Sequence, residues 1–236
     1  MNKVPFEIFF ELTKNMKFID IVNLCETNPK WEKYCKSPQF RSLIQISQNE
    51  ITSSLYPAII NDNIQVVINI LNYGIDVNIK NRDDTTPIYI SIMYNKYTIS
   101  KILLKCGADP NTTYNGLKIM MYSIMDNNVQ IVELLLKYDA DPNTIVDITG
   151  VTGLQIACES NYIEMVELLL RYDANPNIQD EYGNTSLFSA RNNINILELL
   201  LQNDANPNIK NNDGRTVLLL ASNDDIINLL LHYGAK

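Results

Sequence analysis

Five similar pentapeptides, each closed by an asparagine, recur at nearly constant spacing along most of this 236-residue chain. They read GIDVN at 74–78, GADPN at 107–111, DADPN at 139–143, and DANPN at both 173–177 and 204–208. Their closing residues Asn78, Asn111, Asn143, Asn177 and Asn208 are separated by 33, 32, 34 and 31 residues, and Gly234-Ala235 begins a sixth copy. A period of this length excludes a single central core. It is the mark of a stack in which one short unit, unable to hide its own apolar face, is repeated until neighbours bury one another.

Within each period the pattern reads as a pair of helices. An apolar cluster precedes every pentapeptide: VVINIL, ISKILL, IVELLL, MVELLL, ILELLL and, before the last copy, IINLLL. Apolar residues in these clusters fall at i, i+3 and i+4, which places them on one helix face. A second short helix starts upstream at Thr86-Pro87-Ile88-Tyr89, Thr152-Gly153-Leu154-Gln155, Thr185-Ser186-Leu187-Phe188 and Thr216-Val217-Leu218-Leu219. Threonine is a good N-cap, and proline at the first helical position loses an amide that would be unpaired anyway. Turn formers join one repeat to the next at Asp147-Ile148-Thr149-Gly150, Asp180-Glu181-Tyr182-Gly183 and Asn211-Asn212-Asp213-Gly214. These read as type I turns in which glycine takes positive φ.

Turn, helix, link, helix at this period resembles the ankyrin repeat over residues 49–236, with repeats at about 49–80, 81–113, 114–145, 146–179, 180–210 and 211–236. The resemblance implies an all-α solenoid of about six helix-turn-helix repeats with β-hairpin-like turns. It also implies a concave surface, formed by turn tips and first helices, that binds a protein target. The histidine the family carries at the start of the first helix is replaced by Tyr56, Tyr89, Met121, Gln155, Phe188 and Leu219. This predicts loss of the hydrogen bond that the imidazole makes to neighbouring turns, and a less rigid array. Soft points are expected at the third repeat's irregular Lys118-Ile119-Met120-Met121, and in repeats five and six, shortened around Arg191–Ile194 and Ser222–Asp225. Leu103, Leu104, Leu135, Leu136, Leu168, Leu169, Leu199 and Leu200 are assigned to the core. The expected target-binding residues are Lys80, Arg82, Asp83, Met93, Tyr94, Tyr114, Met125, Asp147, Glu159, Glu181, Tyr182, Lys210 and Arg215. Among them Tyr94, Tyr114 and Tyr182 are the best anchors, because tyrosine buries much area at little rotamer cost.

Residues 1–48 break the period. They predict short helices at Phe6–Lys14, Phe18–Glu26, Trp31–Cys35 and Phe40–Ile46, with a boundary at Asn28-Pro29-Lys30. One reading is a helical cap for the first repeat's apolar edge. The other rests on Pro5-x-Glu7-Ile8, Leu12, Asp20-Ile21-x-x-Leu24-Cys25, Trp31 and Cys35-x-x-Pro38-x-Phe40-x-x-Leu43, which resemble an F-box. Here Ile21 stands for the usual leucine, and the Cys25–Trp31 interval is longer than the family's. That resemblance implies docking on a Skp-type adaptor of a cullin–RING (SCF-type) ubiquitin ligase through Pro5, Ile8, Phe9, Leu12, Ile21, Leu24 and Trp31. The repeats would then select the protein to be ubiquitinated. The alternative is a stand-alone ankyrin scaffold or inhibitor. The pairing of the two modules is similar to the F-box/ankyrin proteins of giant DNA viruses, which implies action in the cytoplasm, the host's if the source is viral.

Charge and composition narrow the remaining classes. Nineteen basic against twenty-seven acidic side chains give a net charge of −8, which disfavours a phosphate backbone as partner. The cysteines Cys25, Cys35, Cys106 and Cys158 lack metal-ligand spacing and are expected to be buried thiols, while the single histidine, His232, sits near a helix end. No run reaches the length needed to span a bilayer. No catalytic constellation, cofactor or metal is expected, and the chain reads as a binding protein. Its 31 asparagines are read as a coding bias of the source before a functional feature.

Overall fold

The computed structural model describes Met16, Asp20, Ile21, Leu24, Thr27, Trp31 and residues 48–146 and 149–236. The chain forms two compact units, Met1–Asp109 and Pro110–Lys236. In the first, the described helices are α1 (Gln48–Ile60), α2 (Ile64–Asn72), α3 (Pro87–Met93) and α4 (Tyr97–Lys105). The second holds a two-residue hairpin, β1 (Thr113–Tyr114) with β2 (Leu117–Lys118), followed by α5 (Ile119–Met125) and α6 (Val129–Leu136). It continues through α7 (Gly153–Glu159), α8 (Ile163–Arg171), α9 (Ser186–Ser189), α10 (Ile194–Gln202), α11 (Val217–Leu220) and α12 (Asp224–His232).

Each repeat contributes a first and a second helix, and like packs on like. In the first unit α1 lies against α3 and α2 against α4; in the second α5, α7 and α9 form one layer and α6, α8, α10 and α12 the other. The apolar clusters face between the layers: Ile99, Leu103, Val132, Leu135, Val166, Leu169, Ile196, Leu197 and Leu200 are fully buried. Of the leucines assigned to the core, Leu199 alone is only half-buried. The triple-leucine pattern could not separate it from Leu168 and Leu134, which hold the same position one and two repeats earlier and are closed over.

Asparagine does structural work that the composition did not suggest. In the first unit Asn78 donates from Nδ2 to the Gly107 carbonyl (3.3 Å) and accepts the Asp109 amide at Oδ1 (2.9 Å). In the second, Asn111 bridges to Asp139 O (3.2 Å) and Asp141 N (2.9 Å). Asn177 does the same with Asp204 O (2.9 Å) and Asn206 N (2.7 Å), and Asn208 with Gly234 O (3.0 Å) and Lys236 N (2.9 Å). Asn143 accepts the Asn175 amide at 2.7 Å. The recurring asparagine is therefore a rung joining successive repeats, and it suits the role because its short carboxamide donates from one atom while accepting at another. We expect Asn177→Asp to replace a donor by a second acceptor facing Asp204 O, and to lower stability by about 1–2 kcal/mol. Urea unfolding of this variant reads that loss.

Other asparagines and aspartates occupy backbone positions that most side chains avoid. Asn95, Asn127 and Asn161 turn the chain between first and second helices with φ of 52°, 51° and 58°, a left-handed conformation that Asn and Asp tolerate best after glycine. Asn63, Asn128, Asn193 and Asn223 cap second helices, each accepting an amide from the first turn. In repeats five and six no left-handed residue is found between the helices among the described residues, and α9 and α11 are four residues long where α3, α5 and α7 have seven. Thr185 and Thr216 head these short helices without making a cap bond, and their buried hydroxyls are unpartnered. In repeat five the link is closed instead by Arg191, which donates from Nη1 to Phe188 O at 3.0 Å.

The irregular third repeat is fastened by other means. Asn115-Gly116 turns the hairpin with both residues at positive φ, as two-residue hairpin turns require. Tyr122 donates its hydroxyl to Tyr114 O at 2.9 Å, and Lys118 pairs with Asp141 at 2.8 Å. Ile119, Met120 and Met121 are all fully buried. The expected soft point is thus a packed segment.

Candidate functional site

The turn tips are built on one device. Asn81, Asp180 and Asn211 each use a side-chain oxygen to accept two backbone amides, at positions i+2 and i+4. The same three residues donate their own amides to the carbonyls of Thr85, Asn184 and Arg215. This double closure holds the residues between them, Arg82 and Asp83, Glu181 and Tyr182, Asn212 and Asp213, out at the tip. In the second unit the tips are also joined, Glu181 donating its amide to Thr149 O (2.9 Å) and Asn212 to Tyr182 O (2.9 Å). Gly183 lies against this seam at φ 77°, where a Cβ would meet Asn212 Oδ1 at 2.6 Å.

The histidine replacements divide into two chemistries. The Tyr56 hydroxyl lies within hydrogen-bonding reach of the carbonyls of Ile79 (3.0 Å) and Thr85, and burial pushes its phenol well above the ordinary range. Gln155 accepts the Thr152 amide at Oε1 (2.7 Å), so that Thr152 and Gln155 form a capping box, and donates from Nε2 to Asn184 O in the following turn (2.7 Å). At these two positions the bridge between repeats is kept with a different donor, contrary to the expected loss. Met121 and Phe188 bring only apolar surface and are buried, whereas Leu219 is 68% exposed.

On the first helices of each unit the predicted residues have half-buried neighbours on the same face. Met93 and Met125 are exposed at 43% and 41%, and Glu159 is exposed at the same register. Three residues before each stand Ile90, Tyr122 and Ile156, all half-buried and on the same helix face by their i, i+3 spacing. These three lie outside the expected set, and the helical spacing alone identifies them. Tyr94 and Tyr182 are exposed, Tyr182 at 62%, and Tyr114 is half-buried on β1. The neighbouring Glu181 carboxylate holds the Tyr182 phenol above the usual range. Lys80, Arg82, Asp83, Glu181, Lys210 and Arg215 are exposed on the tips, Lys80 pairing with Asp84 at 2.9 Å. Asp147 lies outside the described residues.

The N-terminal candidates are described only in part. Pro5, Ile8, Phe9 and Leu12 lie outside the described residues. Ile21 is helical and 2% exposed, its carbonyl accepting the Tyr73 hydroxyl at 3.3 Å, while Leu24 and Trp31 are helical and half-buried. Of the cysteines, Cys158 is buried, with its thiol pushed far up by desolvation, but Cys106 is exposed, contrary to the expectation of buried thiols. Among the described residues no group of His, Cys, Asp and Glu could hold a metal ion, and no helix is long and apolar enough to cross a membrane. His232 falls in the last turn of α12.

Comparison with known proteins agrees with this geometry. A family model for ankyrin repeats matches three overlapping stretches, residues 55–146, 120–211 and 154–236. Two fowlpox virus proteins described as ankyrin repeat proteins, FPV024 and FPV219, are 38% identical over 58 residues and 36% identical over 67 residues. These segments are 24% and 26% of this chain but 10% and 15% of the relatives, so the match spans a small part of their length. Among solved structures, an ankyrin repeat domain from Acinetobacter baumannii AYE superposes with a TM-score of 0.70 at 28% identity, over 77% of this chain and 98% of that one. The ankyrin repeat protein EF0377 gives 0.65 at 26%, over 78% and 98%. The ankyrin repeat domain of Bcl-3, at 0.56 and 23% identity over 75% and 97%, shares the fold.

Proposed function

The chain belongs to the ankyrin-repeat family, and from that premise we propose that its first-helix and turn-tip surface holds a partner protein. The observation that carries this is the set of exposed apolar and aromatic side chains on first helices and hydrogen-bonded tips: Met93 and Tyr94 in one unit, Met125 and Tyr182 in the other. Large side chains held in place by the scaffold lose little entropy on binding, which is what an interface anchor requires. A photo-crosslinker at position 125 or 182 is expected to capture the partner, and one at the exposed Lys101 on the second helix α4 is not. Met125→Ala with Tyr182→Ala should then weaken binding of the captured protein at least ~tenfold while leaving the thermal midpoint unchanged, since two anchors at ~1–2 kcal/mol each are removed. Capture from Lys101 alone would move the interface to the second-helix layer.

A finer reading makes the chain the substrate receptor of an SCF-type ubiquitin ligase, acting in the cytoplasm and docking through residues 1–48 on a Skp-type adaptor. Its support is the order Pro5, Ile8, Leu12, Ile21, Leu24, Trp31 in the sequence. The plain-cap reading is supported by the burial of Ile21 and the Tyr73–Ile21 hydrogen bond, which tie that segment to the first repeat's second helix. A pull-down of a purified Skp-type adaptor with the full chain and with Ile8→Glu plus Leu24→Glu separates the two. Binding lost in a variant that melts normally favours the receptor; no binding by either, with early melting of the variant, favours the cap.

A further inference from the structure

The acidity of the second unit is carried by one side of its repeats. Residues 110–236 hold sixteen acidic against seven basic side chains. On the second helices and the loops that follow them (129–143, 163–177, 194–208 and 224–236) the balance is ten to three, and on the first helices and tips it is six to four. The surplus therefore lies on the second helices and the loops after them, and α6, α8, α10 and α12 alone carry six acidic residues to one basic.

An open groove of about 350 Å³ runs between α8 and α10, lined by Ile163, Glu167, Asn195, Glu198, Leu199 and Gln202. Its apolar part is Ile163 and Leu199. Ile163 is 38% exposed, and Leu199 is half-buried where Leu134 and Leu168 at the same register are closed over. Its polar part is two exposed carboxylates and two amides. Gln202 donates to one oxygen of Glu198 at 3.2 Å, and neither Glu167 nor Glu198 is in an ion pair among the described residues. By contrast Glu133, one repeat earlier at the position of Glu167, is neutralised by Lys137 at 2.8 Å.

An aliphatic patch beside carboxylates selects a particular side chain. Lysine and arginine carry an alkyl stem that covers apolar surface and a cationic head that stays near water, so one residue satisfies both parts of the groove. An apolar side chain would desolvate the glutamates without compensation, and an anionic one would be repelled. We propose that the α8–α10 groove is a second docking site, separate from the first-helix face, that takes a segment of a partner protein bearing lysine or arginine. The segment lays its stem on Ile163 and Leu199 and its head between Glu167 and Glu198. The surrounding negative potential draws basic segments towards this side, with an attraction that weakens as salt rises.

The test uses the full chain and a fluorescein-labelled helical peptide of lysine and leucine, with a glutamate–leucine peptide of the same length beside it. The lysine peptide is expected to bind at low ionic strength and more weakly at higher salt, with backbone amide shifts concentrated in 163–171 and 194–202. Glu167→Gln with Glu198→Gln should weaken it about tenfold, because both charges facing the head are gone. Glu159→Gln with Glu181→Gln, the same change of net charge on the other face, should alter it less than about twofold. Equal weakening by the two double variants would mean that the peptide answers to net charge, and would overturn the proposal. So would shifts centred on α5 and α7, equal binding of the glutamate peptide, or no binding of the lysine peptide. None of these outcomes bears on the partner expected at Met125 and Tyr182, which the crosslinking experiment reads independently.

Discussion

Leu169→Ala is expected to remove about 2–5 kcal/mol of stability, the cost of deleting a fully buried leucine side chain and leaving its cavity. Leu169 is 0% exposed in the middle of α8, with α6 on one side and α10 on the other, so no neighbour can move in without opening a second contact. Leu219→Ala deletes the same atoms from a side chain that is 68% exposed, and should change stability by less than about 0.5 kcal/mol. Urea unfolding of the two variants reads the contrast. Equal losses would mean that the layered packing does not carry the stability of this unit. Because repeats are coupled chiefly to neighbours, the Leu169 variant should also show its weakest amide protection in 153–202.

That comparison shows what periodicity could and could not reveal. The i, i+3, i+4 clusters found every second helix, because burial between two layers forces that spacing on any sequence that makes it. Glycines and Asx residues found the turns for an equally local reason: positive φ is open to few residues. Depth within the stack is a different matter. Leu199 and Leu168 sit in nearly identical hexapeptides, ILELLL and MVELLL, yet one floors a groove and the other is closed over, since their exposure depends on residues a repeat away. The asparagine rungs were hidden for the same reason: the partner of Asn177 is a backbone carbonyl 27 residues downstream, which leaves no trace in composition. On the proposed binding face, Met93, Met125 and Tyr182 were legible as large apolar residues outside the core pattern, whereas Ile90, Tyr122 and Ile156 looked like core and are half outward.

Gln155→Leu should cost about 2–4 kcal/mol although it adds apolar surface to a buried site. Gln155 is 2% exposed and spends its whole carboxamide on the backbone, Oε1 on the Thr152 amide and Nε2 on the Asn184 carbonyl, both at 2.7 Å. Leucine matches the volume but strands the buried Thr152 amide, which is the larger part of the expected loss. Asn184 O keeps the Asp180 amide at 3.0 Å, so its share is nearer that of one net hydrogen bond. Gln155→His separates bonding from filling, because a neutral imidazole also offers one acceptor and one donor on a rigid frame. It should fall within about 1 kcal/mol of the unmodified chain, the worth of one imperfect hydrogen bond. If leucine were tolerated as well as histidine, the bridge from α7 to the next turn would be incidental to stability. The Gln155 and Phe188 positions would then be equivalent, each serving only to fill space between repeats.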